Sequence, residues 1–119
     1  MLTYALLIYR SAPSSEPLPE LDERLALEGH RSLQAEAAAQ GQLHAVARLG
    51  DAGRARTVKR REGAHEVTDG PYIETKEWLV GFYLVDCKSE EEALSRARLI
   101  CPDNAHAIEV RPVTWRWKP

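Results

Sequence analysis

Residues 78–87 read W-L-V-G-F-Y-L-V-D-C, and this stretch decides the fold. Its side chains are apolar at both odd and even positions, whereas a strand with one face in water alternates apolar and polar residues. The pattern therefore predicts a central strand with both faces buried. Residues 2–9, L-T-Y-A-L-L-I-Y, have the same property and predict a first strand that is also covered on both faces.

Two helices are predicted from propensity and capping signals. Residues 20–40 contain no proline, are rich in Ala, Leu and Glu, and are followed by Gly41, which is suited to ending a helix. Ser89 and Glu92 form a capping box that opens a second helix, and Pro102 stops it. This second helix places Ala93, Ala97, Ile100 and Cys101 on one face.

The remaining segments predict strands. Residues 43–49 are an apolar strand, and residues 57–61 pair with 64–67 as a hairpin across Glu62-Gly63. Residues 106–113 alternate, with Ile108 and Val110 on one face.

The order β-α-β-β-α-β with an inserted hairpin predicts an α+β fold of the ferredoxin-like, split βαβ type. Two helices can cover one face of such a sheet. The strands that are apolar on both faces then need a second cover, and a second copy packed sheet to sheet provides it. We therefore expect a homodimer.

Composition describes one ordinary globular domain over residues 1–119, with 44% hydrophobic and 29% charged residues. Cys87 and Cys101 are read as reduced core residues. The apolar stretch 2–9 is too short for a membrane span or a signal peptide, so we expect a cytoplasmic protein. The net charge of −2 argues against a nucleic-acid partner. The cations of residues 54–61 fit an edge hairpin better than a nucleic-acid surface, because no aromatic residues are interleaved.

Residues 68–77, T-D-G-P-Y-I-E-T-K-E, are the most distinctive run in the chain. Together with G-F-Y-L-V-D, the closing H-A-I-E-V-R-P-V and the opening Y-A-L-L-I-Y, they resemble the D-G-P-F (DGPF) subgroup of the YCII-related proteins. Tyr72 stands where Phe is commoner, and the proline-rich loop 10–19 matches no motif. The resemblance implies a dimeric α/β barrel with a cleft. The resemblance does not imply a settled activity. Members of this subgroup are often encoded beside extracytoplasmic-function sigma factors.

His30 shares a helical face with Ala26, Leu33 and Ala37, so it is expected to point inward. The segment around it resembles the stretch that carries the helix histidine proposed as catalytic in YCII proteins. Two interpretations are open: a hydrogen-bonded core residue, or a general acid/base near neutral pH.

The carboxylates of Asp69 and Glu74 flank the D-G-P-Y turn and are the candidate partners of His30. Asp69 has an alternative role, because Asp in such a turn commonly caps its own backbone. We expect Tyr72 to pack as an aromatic anchor and to line the ligand cleft. Lys76 is a candidate ligand-binding residue, and the alternative for both Glu74 and Lys76 is that they belong to a solvated turn with local ion pairs.

A second candidate cluster comprises His106, Glu109 and Arg111. Strand alternation places Glu109 and Arg111 on one face, as either a structural ion pair or an anion-binding site. His106 fits the closing motif of the family but precedes the strand, where it could simply satisfy a loop.

No metal site or cofactor is expected, because no histidine or cysteine spacing suits a metal and no phosphate-binding glycine loop occurs. Two functions are then open. One is a small cofactor-independent enzyme with His30 and a carboxylate acting on an unknown small molecule. The other is a non-catalytic ligand-binding or accessory module linked to sigma-factor signalling.

Overall fold

A computed structural model describes residues 1–13, 16–73 and 76–119. Each predicted element is present, and the bounds differ only slightly from those expected. The elements are, in order, β1 (Leu2–Arg10), α1 (Glu20–Ala39), β2 (Leu43–Arg48), a 3₁₀ turn (Ala52–Arg54), β3 (Arg56–Arg61), β4 (Ala64–Asp69), β5 (Trp78–Cys87), α2 (Glu90–Leu99) and β6 (His106–Pro112).

Four strands form an antiparallel sheet in the order β2-β5-β1-β6. The two strands predicted to be buried on both faces, β1 and β5, are therefore the inner ones. This α+β arrangement is compatible with the ferredoxin-like fold.

Both helices pack on the same face of the sheet. They enclose a core in which Leu6, Leu33, Tyr83, Val85 and Ile100 have no exposed surface.

Strand register fixes which side chains face the helices. On β1 the helix-facing side chains are Tyr4, Leu6, Ile8 and finally Arg10, all of them buried. Ile8 lies opposite Gly81 on β5 and Ile108 on β6. The series is apolar at one end of the strand and charged at the other, so this face of the sheet has a polar end.

The helices are held close by specific local features. The Ser89 hydroxyl accepts a hydrogen bond from the Glu92 backbone N–H at 3.1 Å, which confirms the predicted N-cap of α2. Gly29 of α1 lies against the last turn of α2, where an added Cβ would come within 1.8 Å of the Leu99 carbonyl oxygen. The absence of a side chain at Gly29 therefore sets the distance between the helices.

The predicted hairpin is confirmed, and it forms a separate two-stranded sheet of β3 and β4. Glu62 and Gly63 have φ values of 51° and 82°, as a two-residue turn of type I′ requires. Nearly all hairpin side chains are exposed, including Val58 and Val67. Residues on β3 and β4 are thus carried outside the core of the main sheet.

The second face of the main sheet carries half-buried apolar side chains from the two inner strands. They are Ala5, Leu7, Tyr9, Phe82 and Leu84. Neither α1 nor α2 packs there, so we call this surface the open face. As for membranes, neither of the two described helices has the length and apolar character needed to span a bilayer.

Candidate functional site

A pocket of about 310 Å³ lies between α1 and the polar end of the sheet. This volume is near the lower limit for pockets that bind small molecules. Its lining combines apolar side chains with polar and charged ones. The polar and charged lining residues are Arg10, Glu23, His30, Gln34, Arg48, Tyr83 and His106.

His30 lies in this pocket and is hydrogen-bonded to a tyrosine. Its Nδ1 is 2.7 Å from the Tyr83 hydroxyl oxygen, and the two rings stack with an interplanar angle of 5°. Gln34, one helical turn after His30, donates from Nε2 to the same hydroxyl at 3.1 Å. The expected inward orientation of His30 is thereby confirmed, since Ala26, Leu33 and Ala37 are buried on the same face.

Burial changes the protonation behaviour of this pair. Desolvation lowers the pKa of His30, and the nearby positive charges of His106 and Arg48 lower it further. Burial raises the pKa of Tyr83, against the opposing effect of the hydrogen bond from Gln34. At neutral pH the pair is therefore an uncharged imidazole beside an uncharged phenol.

The Tyr83 hydroxyl can donate to Nδ1 or accept from it, so both neutral tautomers of His30 are compatible with the contact. Nε2 of His30 has no hydrogen-bond partner within residues 1–13, 16–73 and 76–119. This nitrogen is consequently available to a molecule in the pocket, as a donor in one tautomer and as an acceptor in the other.

His106 lies on the same pocket, held by an aspartate. Its Nδ1 is 2.9 Å from the Asp103 carboxylate, and both side chains are more than 90% buried. Burial alone would raise the pKa of Asp103. The hydrogen bonds from the His106 ring and the Ala105 backbone N–H instead hold that pKa below its ordinary value. The structure thus brings His106 to His30, and the carboxylate of this region belongs to Asp103.

Asp69 is not placed beside His30. It ends β4, its side chain is 90% exposed, and it forms an ion pair with Arg56 at 3.3 Å. The expected contact between His30 and Asp69 is therefore not formed within the chain, because the hairpin carries Asp69 away from the main sheet. Glu74 lies outside the described residues, and Lys76 is exposed.

The expectation that Tyr72 packs as a buried anchor is wrong. Its side chain is 70% exposed, and the Lys59 ammonium lies 5.6 Å from its ring centre. Tyr72 instead borders a second, wider cavity with Tyr9, Trp78 and Leu79 on the open-face side of the sheet. Tyr72 and His30 consequently belong to different cavities.

Glu109 and Arg111 lie on the open face, opposite Leu7 and Ala5 of β1. The Arg111 Nε donates to the Glu109 carboxylate, so the two form an ion pair with each other. This is the structural alternative raised by the sequence, and neither residue lines the pocket of His30.

Sequence reasoning missed the polar residues that complete the pocket. Tyr83 lies within a predicted strand, where it is interpreted as a core residue. Arg10 follows a predicted strand and is assigned to the loop. The alternation of β5 contained a signal for Tyr83, because its parity is that of the helix-facing Val85 and Cys87. For Arg10 the strand register is needed, since it shows that β1 continues one residue further and pairs Arg10 with His106.

No group of three or more His, Cys, Asp or Glu side chains suited to a metal ion occurs among the described residues. The polar and charged side chains that line the pocket can transfer protons, form hydrogen bonds and attract charged groups.

Two comparisons with known proteins show which family this chain resembles. The model of the YCII-related domain matches residues 2–118. An uncharacterised protein of Rhizobium meliloti (strain 1021) is 35% identical over 114 residues, which cover 94% of this chain and 92% of that protein.

Proposed function

The chain belongs to the YCII-related domain family, and we propose that its pocket is the active site of a small cofactor-independent enzyme in which His30 transfers protons. In this proposal Tyr83 is the hydrogen-bond partner of His30, a role for which the sequence analysis named a carboxylate. The substrate is a small molecule, as the pocket volume of about 310 Å³ requires.

The observation that carries this proposal is the 2.7 Å contact between His30 Nδ1 and the Tyr83 hydroxyl at the pocket wall. A histidine sealed in the core would have a hydrogen-bond partner for each ring nitrogen, because buried polar atoms are almost always hydrogen-bonded. Here Nδ1 is engaged and Nε2 has no partner in the described part of the chain. A perturbed histidine at a pocket, with one nitrogen held and the other available, is suited to general acid/base work.

The Tyr83 hydroxyl gives His30 two ways to act. When the phenol donates to Nδ1, Nε2 carries the proton and can donate it to a substrate oxygen. When Nδ1 carries the proton and donates it to the phenol oxygen, Nε2 is an unprotonated base. Gln34 supports both arrangements, because it donates to the phenol oxygen without competing for its proton.

The test is a metabolite screen by thermal shift, followed by turnover assays on the compounds that stabilise the protein. His30→Gln should keep the fold and abolish turnover. His65→Gln is the matched control, because His65 is an exposed histidine on the hairpin strand β4. Turnover that survives His30→Gln would refute the catalytic role of His30.

The same screen separates the enzyme from the alternative function. Compounds that bind in a His30-dependent way without being converted would favour a non-catalytic binding module. Membership of the D-G-P-F subgroup rests on the resemblance of the residues around Asp69 and Tyr72, and the link of such a module to extracytoplasmic-function sigma factors is what that resemblance implies; both stay predictions.

The open face supports a proposal on assembly. Its apolar side chains, including Leu7, Phe82 and Leu84, are half-buried without a helix packed over them. We propose that a second copy covers them in a homodimeric α/β barrel. Light scattering should then give about twice the chain mass of 13.4 kDa.

Leu84→Lys should shift that mass to the monomer, because Leu84 lies centrally on the open face, opposite Ala5 and Ala45. Val58→Lys, on the exposed hairpin, is the control and should leave the mass unchanged. A wild-type protein that is monomeric at micromolar concentration would contradict the dimer.

A further inference from the structure

Arg10 is a buried guanidinium beside which the described part of the chain places no balancing carboxylate. Its side chain is only 5% exposed. Its Nη2 donates to the Glu16 carbonyl oxygen at 2.8 Å, whereas its Nε–H is buried and has no acceptor. Within the described ranges, no carboxylate lies within 4.0 Å of this side chain. Burying a charge is costly unless it is paired, so a missing partner is informative.

Arg10 and Arg48 both line the pocket that contains His30. The lowering effect of Arg48 on the pKa of His30 indicates that its charge reaches the interior of the pocket. His30 and His106 carry no negative charge that could compete, and the Asp103 carboxylate is engaged by His106.

The carboxylate of Glu23 also lines the pocket. It accepts a hydrogen bond from the Leu18 backbone N–H, lies on an exposed residue and forms no ion pair with Arg10.

The other residues that line the pocket are mainly apolar. They are Ile8, Ala26, Leu27, Val46, Ala47 and Val80. A ligand that matches both the apolar and the cationic lining residues has an apolar body and a negatively charged head group.

We propose that the natural ligand of this pocket is a small organic anion whose oxyanion group, a carboxylate or a phosphate, pairs with the guanidinium of Arg10 and is attracted by Arg48. The inference rests on the proposed function in that it names the substrate class of the same pocket. Charge-assisted hydrogen bonds from arginine are the strong contacts of such sites, and they would also compensate the buried charge of Arg10. The apolar body would then lie against Ile8 and Val46, within reach of His30.

Three probes separate the contributions of charge and apolar body to binding, and a fourth, phenyl phosphate, identifies the preferred head group. Benzoate has an apolar body and a charge, benzamide has a similar body without the charge, and inorganic phosphate has charge without the body. Isothermal titration should show saturable benzoate binding in the millimolar range or tighter. Benzamide should bind roughly tenfold more weakly or not at all, which is the scale expected for a hydrogen bond to a charged group. Phenyl phosphate binding more tightly than benzoate would assign the head group to phosphate, and the reverse order would assign it to carboxylate.

Variants locate the binding. Arg10→Lys keeps the charge but loses Nε and the planar fork, so it should weaken benzoate binding by roughly tenfold. Arg48→Gln is an exposed change that does not threaten folding, and it should also weaken binding. Arg60→Gln, an exposed cation of the hairpin strand β3, is the matched control and should leave affinity unchanged.

A direct signature is available in the wild-type protein. The Arg10 Nε–H resonance in a ¹⁵N spectrum should shift on addition of benzoate and remain in place with benzamide. Equal affinity for benzoate and benzamide, wild-type affinity in Arg48→Gln and Arg10→Lys, or no benzoate binding in the millimolar range would each overturn the anion site. Failure of this inference is distinguishable from failure of the proposed function, because the latter is judged by turnover in His30→Gln. Arginine-dependent benzoate binding by a protein without turnover would keep the site and reject the enzyme.

Discussion

Gly29→Ala tests how closely the two helices approach beside the pocket. In an exposed helix interior this substitution normally stabilises a protein by about 1 kcal/mol, because alanine is the better helix former. At Gly29 the new Cβ would lie 1.8 Å from the Leu99 carbonyl oxygen and 2.8 Å from its carbonyl carbon. Ordinary contacts begin near 3.4 Å, so α2 would have to retreat by about 1.6 Å. The clashing atoms of Leu99 belong to the backbone, so no side-chain rotation can relieve the contact.

The cost of such overpacking is about 3 kcal/mol, at the upper end of the usual range. Subtracting the gain in helix propensity leaves a net loss of about 2 kcal/mol in the free energy of unfolding. For a domain of this length that corresponds to a fall of roughly 8 °C in Tm. Urea denaturation followed by circular dichroism, at one fixed protein concentration, measures the difference.

Gly50→Ala is the matched control, because no atom lies within 4 Å of its added Cβ, and its stability should change by less than about 0.5 kcal/mol. His30 follows Gly29 directly, so displacement of α1 should also move the His30 pKa. A Gly29→Ala protein as stable as the wild type would show that the helices do not make this contact.

Four further outcomes are expected. Tyr83→Phe should lower the free energy of unfolding by about 1–3 kcal/mol, since His30 Nδ1 and the Gln34 amide lose their partner; thermal denaturation checks this. The lowered pKa of His30 means that the unfolded chain binds its proton first, so stability is full above pH 6.5 and falls as pH drops towards the folded-state pKa. This dependence should be smaller in His30→Gln when the two proteins are compared by denaturation across that pH range. Arg96→Met should cost about 3 kcal/mol, because a buried guanidinium with several hydrogen bonds is lost and its acceptors stay buried; unchanged urea midpoints would exclude this. Tyr72→Ala should change stability by less than about 0.5 kcal/mol in the same assay, because the side chain is exposed.

Sequence patterns were sufficient to predict the elements and the buried faces of the two helices and of β6. The both-parity apolar stretches of β1 and β5 predicted the inner strands, and the capping signal at Ser89 predicted the start of α2. These signals are local, since they depend on periodicity and on backbone groups a few residues apart.

The partners of His30 could not be predicted in the same way. They depend on which residues of distant strands come into register and on where the hairpin sits. Asp69 is near the central strand in sequence, yet the hairpin forms its own sheet and leaves this carboxylate in solvent. Tyr83 is 53 residues from His30 and reaches it because α1 crosses β5 at that position. Long-range register is the information that a single sequence does not display.

The pocket exists because the helix-facing surface of the sheet changes character along its length. Towards one end, Leu6, Tyr83 and Val110 lie side by side and pack under the helices. One step further, Ile8 lies beside Gly81, which has no side chain to fill the space. An added Cβ at Gly81 would come within 2.6 Å of the Ala47 carbonyl oxygen, so the residue is also required for the close pairing of β2 and β5.

A core filled only for stability would place apolar side chains at this polar end and would spare the cost of burying a guanidinium with an unpaired Nε–H. The sequence instead places Arg10 beside His106 there, at the end of the row that begins with Tyr4. Departures from the most stable packing are expected where a site has to bind something. Gly81, the guanidinium of Arg10 and the ring of His30 all lie on one pocket. Among the described residues Arg10 has no carboxylate partner and its buried Nε–H has no acceptor, and a bound anion would supply the missing negative charge within reach of His30 Nε2.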